Sequence, residues 1–207
     1  MSNLNLNNSW NSYLKYGERQ FFNQKETIYF EEEAGIGGFY YLKNGIIKIS
    51  TTIHTGEEGI IDIVSSERSF GEQTADGGMY FSTATALEDS IIYFFSHEII
   101  RTLMKEDNQL RMLVYINLTE KLNILANNVL FHSLPSEQLL ARTILILIDK
   151  FINKCIPFTQ KELCSYTNLN RITVYKVLKK WDDRIVSMKN KNITVNNLSA
   201  LQEIAAI

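Results

Sequence analysis

The sequence predicts an α+β protein in three parts: a β-sandwich or barrel, one long helix, and a helix–turn–helix followed by a β-hairpin. Three observations carry this. Up to Phe95 the apolar residues fall in short runs separated by polar turns. From Asn108 to Phe131 they repeat at helical spacing. After Pro157 two helix-forming runs flank a polar corner, Thr167-Asn168-Leu169-Asn170. At 207 residues the chain has room for one domain or two and for a sizeable core.

The β half opens with "YYLKNGIIKIS", two apolar runs joined by Asn44-Gly45. That dipeptide suits a tight hairpin, because both residues accept positive φ. Further strands are expected at 58–64, 82–88 and 90–95, and short strands at such spacing suggest a sandwich or barrel. Ser96 is placed to cap a short helix over 97–105, and the long helix follows. Met112, Ile116, Thr119, Leu122, Ala126 and Val129 keep a near-heptad spacing on it, while Leu110, Leu113, Val114, Leu118, Ile124 and Leu125 occupy the adjoining side. One stripe suffices for packing on the β layer. The second needs a further partner, either the same helix of a second subunit or another part of this chain; the heptad spacing points to the subunit. Ser133-Leu134-Pro135-Ser136 breaks the pattern, with Ser136 expected to cap the apolar helix "EQLLARTILILIDKFIN", which Pro157 ends. The expected division is therefore 1–107, 108–132 and 133–207.

Charge separates along the same line. Through Pro135 there are 17 Asp/Glu and 10 Lys/Arg; after it there are 6 and 11. A basic C-terminal part prompts a search for a nucleic-acid partner. The longest apolar run, Thr143 to Ile148, is far too short to span a bilayer, and the N-terminus lacks the pattern of a secretory signal. Cys155 and Cys164 form no CxxC pair, which fits a reducing cytoplasm.

In the C-terminal part, Thr159 and Glu162 make a capping box that starts a helix. Asn168 stands where the chain turns, since Asn tolerates left-handed backbone angles, and Asn170 caps the next helix. At 100° per residue Val174, Val177, Leu178 and Trp181 gather on one side of that helix. Ile172, Lys176 and Lys179 point away, flanked by Arg171, Tyr175 and Lys180. This arrangement suits a helix entering a DNA major groove, its first residues at base edges and its later lysines at phosphates. "IVSMKNKNITV" then forms a basic hairpin with Lys189 and Lys191 at its turn, a wing for the DNA backbone.

These stretches, "TQKELCSYTNLNRITVYKVLKKW" above all and "FYYLKNGIIKI…SFGEQ" in the β half, resemble the cyclic-AMP receptor / fumarate-nitrate regulator family of bacterial transcription factors over nearly the whole chain. The resemblance implies a jelly-roll (double-stranded β-helix) domain of cyclic-nucleotide-binding type, a dimerisation helix and a winged helix–turn–helix. It implies a homodimer reading a palindromic double-stranded operator, with contact to RNA polymerase as an option. It carries base and phosphate contacts to Arg171, Thr173 and Lys176, beside the cap Asn170. Ile172 stands where the family commonly has glutamate, so a different operator is expected. Tyr175 stands where the family often has a small residue.

The family's nucleotide-binding members carry a Gly-Glu pair for the ribose and an arginine for the cyclic phosphate. Here Gly71-Glu72 is present, and Ser82 and Thr83 are the other positions at which an effector pocket is expected. No Arg or Lys occurs from Gln73 to Glu98. A buried phosphate without a cation is badly paired, so cyclic AMP is not the expected effector. Gly71-Glu72 then reads as a turn with a solvated acid. No cofactor is expected: two cysteines do not hold an iron–sulfur cluster, and His54, His97 and His132 stand apart from one another. The identity of any small-molecule effector stays open. Cys164 suits a small buried position better than a thiol switch with Cys155. A cupin-type metalloenzyme would need clustered histidines, and a non-DNA adaptor would not need Arg171, Lys176 and the wing lysines. No enzymatic activity and no membrane contact are expected.

Overall fold

The computed structural model describes residues 10–54, 56–74, 77–131, 133–151 and 155–206. By contacts the chain forms two compact units: one runs up to Ile49 and takes in Val64–Ile124, the other combines Ser50–Ile63 with Leu125 onward. His132 and the extreme N-terminus, on which the sequence also bears, lie outside the described residues.

The first unit opens with a 3-10 helix at Trp10–Tyr16, followed by β1 (Glu18–Phe22), β2 (Thr27–Tyr29), β3 (Gly38–Asn44) and β4 (Ile46–Thr52). β5 (Glu58–Ser65), most of which falls in the second unit by contacts, and β6 (Arg68–Phe70), β7 (Thr83–Ala86) and β8 (Ser90–Ser96) are the remaining strands of the roll. Two four-stranded sheets result, in the orders β1-β8-β3-β6 and β2-β7-β4-β5. This corrects the expected hairpin at Asn44-Gly45. β3 pairs with β8 and β6, while β4 lies in the other sheet. Asn44 ends β3, and Gly45 alone takes a positive φ, 114°, where a type I′ turn needs two such residues. A Cβ on Gly45 would stand 2.1 Å from the Ser90 hydroxyl, so the corner requires glycine for space as well as for φ. A hairpin and a sheet-switching corner share the same alternation on either side. Long-range pairing with β8 decides between them.

β3 is buried on both faces, which is why "GFYYL" reads as one apolar run. On one face Phe39 and Tyr41 join Trp10, Tyr13, Phe95, Ile100, Leu110 and Leu113 in a core cluster. That cluster anchors two helices, α1 (His97–Glu106) and α2 (Asn108–Phe131). Ser96 caps α1 as its sequence predicts, accepting from the Ile99 amide. Tyr13 donates to Asp107 between the helices at 2.8 Å, and burial pushes the Tyr13 hydroxyl up to about 12. On the other face of β3, Tyr40 enters the roll interior beside Tyr29, Phe70 and Tyr80, all at most 4% exposed. Tyr29 and Tyr80 stack 3.9 Å apart.

The second unit holds α3 (Ser136–Ile148), β9 (Cys155–Ile156), α4 (Gln160–Thr167), α5 (Arg171–Ile185), β10 (Val186–Lys189), β11 (Asn192–Val195) and α6 (Leu198–Ala205). Its core gathers Leu140, Ile144, Leu147, Phe158, Leu163, Val174, Trp181, Ile193 and Leu201, each at most 2% exposed. Ser136 does not cap α3. Pro135 occupies the cap position, with no side-chain hydrogen bond, and Ser136 is the first helical residue. Proline's fixed φ and missing N–H suit it to a helix start. β9 pairs with β11, turning the expected hairpin into the three-stranded sheet β10-β11-β9. Among the described residues no helix is long and apolar enough to cross a membrane.

Candidate nucleic-acid interface and effector region

Side-chain caps start both helices of the helix–turn–helix. Thr159 accepts from the Glu162 amide at 3.3 Å while the Glu162 carboxylate accepts from the Thr159 amide at 2.6 Å, closing the capping box. Asn168 ends α4 in the left-handed region, at φ 55° and ψ 24°. Thr167, buried beneath the corner, donates its hydroxyl to the Leu163 carbonyl at 2.6 Å and accepts from the Leu169 amide at 3.4 Å. Asn170 accepts from the Thr173 amide at 2.8 Å and starts α5. Gln160 donates to the Arg171 carbonyl at 3.0 Å and holds the two helix starts together.

Tertiary packing orients α5. Val174 and Trp181 are buried and Val177 and Leu178 half-buried. Trp181 donates its indole N–H to Glu137 of α3 at 2.9 Å, and Lys180 pairs with the same carboxylate at 2.7 Å. Lys180 chiefly, and Trp181 after it, hold the Glu137 carboxyl below its ordinary value against the opposing effect of burial. The helical path breaks at Asp182, whose φ is 55°. Glu137 is a neighbour of α5 that local sequence could not reveal, since it lies in another helix and pairs only through the fold.

The opposite side of α5 is open. Arg171, Ile172, Tyr175, Lys176, Lys179 and Lys180 are exposed, Ile172 to 68% and Tyr175 to 55%, and Thr173 is half-buried. Lys179 lies 6.0 Å from the Tyr175 ring centroid, within cation–π range. On the wing, Asn190 and Lys191 have φ of 52° and 62°, the two positive angles of a type I′ hairpin. Lys191 is exposed, and Lys189 pairs with Asp183 at 3.3 Å. Lys180 and Lys189 thus have carboxylate partners of their own. Arg171, Lys176 and Lys191 make no ion pair among the described residues.

The expected effector residues converge in the roll. Gly71 has a φ of 79°, and a Cβ there would stand 2.9 Å from the Tyr40 ring. Glu72 is not a solvated acid: it pairs with Lys121 of α2, and the neighbouring Arg68 pairs with Glu120 at 3.1 Å. Gln73 donates to the hydroxyls of Tyr29 at 3.2 Å and Ser82 at 2.9 Å, and its carbonyl accepts from the Phe81 amide at 3.1 Å. Thr83 accepts from the Glu31 amide at 2.9 Å. Burial pushes the Tyr29 and Tyr40 hydroxyls well above their ordinary value. Gln73, Tyr29 and Ser82 are engaged with one another, whereas the buried hydroxyls of Thr74 and Tyr80 have no hydrogen-bond partner among the described residues, and nothing in the local sequence marks Lys121 as the partner of Glu72.

α2 is buried only at Leu110 and Leu113. Of the near-heptad set, Met112, Leu122, Ala126 and Val129 are exposed, and Ile116 and Thr119 are half-buried. The most open stripe is turned slightly from that set: Tyr115, Leu118, Leu122, Leu125 and Val129 are 48–72% exposed at alternating spacings of three and four.

His54 is exposed in a turn. His97 begins α1, half-buried, where burial first and then Arg101 push it down. Both cysteines are free, and burial pushes the Cys164 thiol up, which disfavours the reactive thiolate. Among the described residues no three His, Cys, Asp or Glu side chains come together as a metal-binding group.

Two family models match the chain, a cyclic nucleotide-binding domain over residues 19–107 and a Crp-like helix-turn-helix domain over residues 138–204. The sequence matches no curated protein. Similar solved structures include the CRP-family transcriptional regulator TTHB099 of Thermus thermophilus, 21% identical over 90% of this chain and 96% of that one, with a TM-score of 0.76. FixK2 of Bradyrhizobium japonicum is 16% identical over 92% and 98%, with a TM-score of 0.77. The c-di-GMP responsive global regulator CLP of Xanthomonas campestris is 15% identical over 90% and 97%, with a TM-score of 0.76. The two matched models take in both the roll and the winged helix, and the chain belongs to the CRP/FNR family of DNA-binding transcription regulators.

Proposed function

We propose that the protein works as a homodimer which reads a palindromic operator through α5 and is not controlled by cyclic AMP. The observation that carries the reading is the open row on α5: Arg171, Ile172, Tyr175 and Lys176 stand exposed on a helix whose opposite side is fixed by Val174 and Trp181. Arg171 and Ile172 lead, where side chains reach base edges. Arg pairs bidentately with guanine, and Ile172, which neither donates nor accepts, suits a thymine methyl. Thr173, Lys176, Lys179 and the wing lysines Lys189 and Lys191 serve the phosphates, with Asn170 holding the helix start. Lys180 joins them once it leaves Glu137.

The apolar stripe of α2 supports the dimer, because so much exposed Leu, Tyr and Val at heptad spacing is what a partner helix covers. Functionally, residues 1–107 form the sensing part, 108–132 the dimer helix and 133–207 the reader, acting in the cytoplasm with RNA polymerase as a further partner and without enzymatic activity. Against cyclic AMP stand the missing cation between Gln73 and Glu98 and the pairing of Glu72 with Lys121. The structurally similar CLP is named for its response to c-di-GMP, so this fold does not dictate one effector.

The test is a titration of Arg171→Ala on a selected operator and on random duplex at several salt concentrations. The expected loss is about 1–3 kcal/mol on the operator and little on random DNA. Equal losses on both would remove Arg171 from base reading. Millimolar cyclic AMP is expected to leave both the melting temperature and the operator affinity unchanged, since a ligand that prefers the native state must raise its stability.

A further inference from the structure

The wall of the roll made by β2 and β7 runs on past both strands. Beyond the pairs Thr27–Thr85 and Tyr29–Ala84, Ala34 pairs with Met79. The Glu32 amide donates to the Tyr80 carbonyl at 2.7 Å, the Tyr80 amide to the Glu33 carbonyl at 2.9 Å and the Gly35 amide to the Gly78 carbonyl at 3.0 Å. The result is a two-stranded antiparallel ribbon. Its inward side chains, Tyr29, Tyr80 and Ala84, are at most 2% exposed. Phe30, Ile36, Met79 and Phe81 are instead 57–66% exposed. A sheet with one face on solvent ordinarily carries polar residues there. Cross-strand neighbours on a ribbon stand close enough to touch, which gathers these four into one apolar patch.

The charge around the patch has one sign. No Lys or Arg occurs from Glu26 to Leu42 or from Gln73 to Glu98, the two stretches that build the ribbon, while Glu31, Glu32 and Glu33 directly follow Phe30. Glu32 and Glu33 are exposed. β2 lies at the edge of its sheet, but the Phe30 amide is already bound by the Glu33 carboxylate at 2.9 Å, which blunts strand addition at that point.

We infer that this ribbon is a docking face for a basic, apolar segment of another protein, held by side chains rather than by an added strand. Charge decides among the partners. Nucleic acid and anionic lipid are repelled by the three glutamates. A second copy seated through a two-fold axis would set the same acids against each other. A segment with Lys or Arg around Leu or Phe satisfies both parts of the face: the rings of Phe30 and Phe81 anchor it, and the flexible Met79 adapts to its shape. Neither α5 nor the exposed stripe of α2 takes part, so the inference stands apart from the DNA-reading and dimer proposals.

The probe is a library of random peptides displayed on phage, selected on the full chain and in parallel on Phe30→Ser with Phe81→Ser. Both substituted residues are exposed, so the variant should keep its melting temperature. Peptides enriched on the unaltered protein should carry Lys or Arg beside Leu, Phe or Trp. Synthesised and titrated into protein with carbon-13 methyl labels on Ile and Met, they should shift Ile36 and Met79 saturably. The double variant should bind them about tenfold or more weakly. Glu32→Lys should weaken them about two- to fivefold and flatten the salt dependence. That variant keeps the aromatic anchors, so it decides the charge argument even where the double variant does not fold. A selection that recovers nothing dependent on Phe30 and Phe81, recovered peptides without cationic residues, or shifts that leave Ile36 and Met79 unmoved would each overturn the inference. An oligomeric state that changes in sedimentation with Phe81→Ser would assign the face to a second copy, and flotation with phosphatidylglycerol vesicles would assign it to lipid; either overturns it as well.

Discussion

The roll interior and the outer side of α5 treat their side chains in opposite ways. In the roll, most of the polar groups around Gly71 find partners in the same unit: Gln73 with Tyr29 and Ser82, Glu72 with Lys121, Thr83 with Glu31. On α5, the side chains of Arg171, Ile172, Tyr175 and Lys176 face solvent. The exposed stripe of α2 belongs with α5 in this respect, although it is apolar. The contrast teaches where specificity for other molecules is kept. A satisfied polar network rigidifies a core, whereas an exposed, oriented and uncovered row costs solvation only when a partner arrives.

The sharpest way to break the contrast is at α2. Leu118→Glu with Leu122→Glu alters only exposed residues, so each protomer should keep its melting temperature within a few degrees. Sedimentation should nevertheless show monomers, and operator affinity should fall about a hundredfold or more, because linked half-site binding is lost. Tight operator binding by a monomer would dissociate the stripe from assembly.

An inward residue of the reader should behave like the roll. Trp181→Ala empties a fully packed site and leaves Glu137 with one partner fewer, and it should cost the second unit about 3–5 kcal/mol in denaturant unfolding. A smaller loss would mean that the site collapses to fill itself. The corner is next in size. Asn168→Ala forces a Cβ-bearing residue without a compensating side-chain amide into the left-handed region, at a cost of about 1–2 kcal/mol, while Asn168→Gly should be neutral or better. Equal effects of Ala and Gly would show that the side chain, not the backbone angle, is what the corner needs.

The smallest effect sharpens the comparison through pH. The Glu137 carboxyl titrates below its unfolded value because Lys180 and Trp181 favour its charged form. Its contribution to stability is therefore fully present above the ordinary carboxylate value and is lost as pH falls through the lowered one. Acid titration of the melting temperature should show this slope in the unaltered protein and a shallower one in Glu137→Gln. Identical slopes would assign the acid sensitivity elsewhere, for example to Asp107, held low chiefly by the Leu110 amide.

Local sequence alone determined the elements whose cause is local. The Thr159–Glu162 box, the left-handed Asn168, the Asn170 cap, the Ser96 cap and the span of α2 all depend on residues within about four positions, so spacing and side-chain chemistry sufficed. The open side of α5 was legible for the same reason, since a helix wheel needs only the helix. Tertiary structure decided whatever depends on partners distant in sequence. Asn44-Gly45 had the chemistry of a hairpin, yet β8 and β6 claimed β3, and Ser90 packed against Gly45 made it a corner between sheets. Glu72 looked solvated until α2 brought Lys121 to it, and Lys180 looked free until α3 brought Glu137. Periodicity also left the exposed stripe of α2 approximate. A heptad pattern marks which residues are apolar, but only the packing of Leu110 and Leu113 on the roll sets the rotation that leaves Tyr115, Leu118, Leu122, Leu125 and Val129 uncovered. Pairings across the fold are selected by burial and strand register, which act between segments and leave no mark at the positions they join.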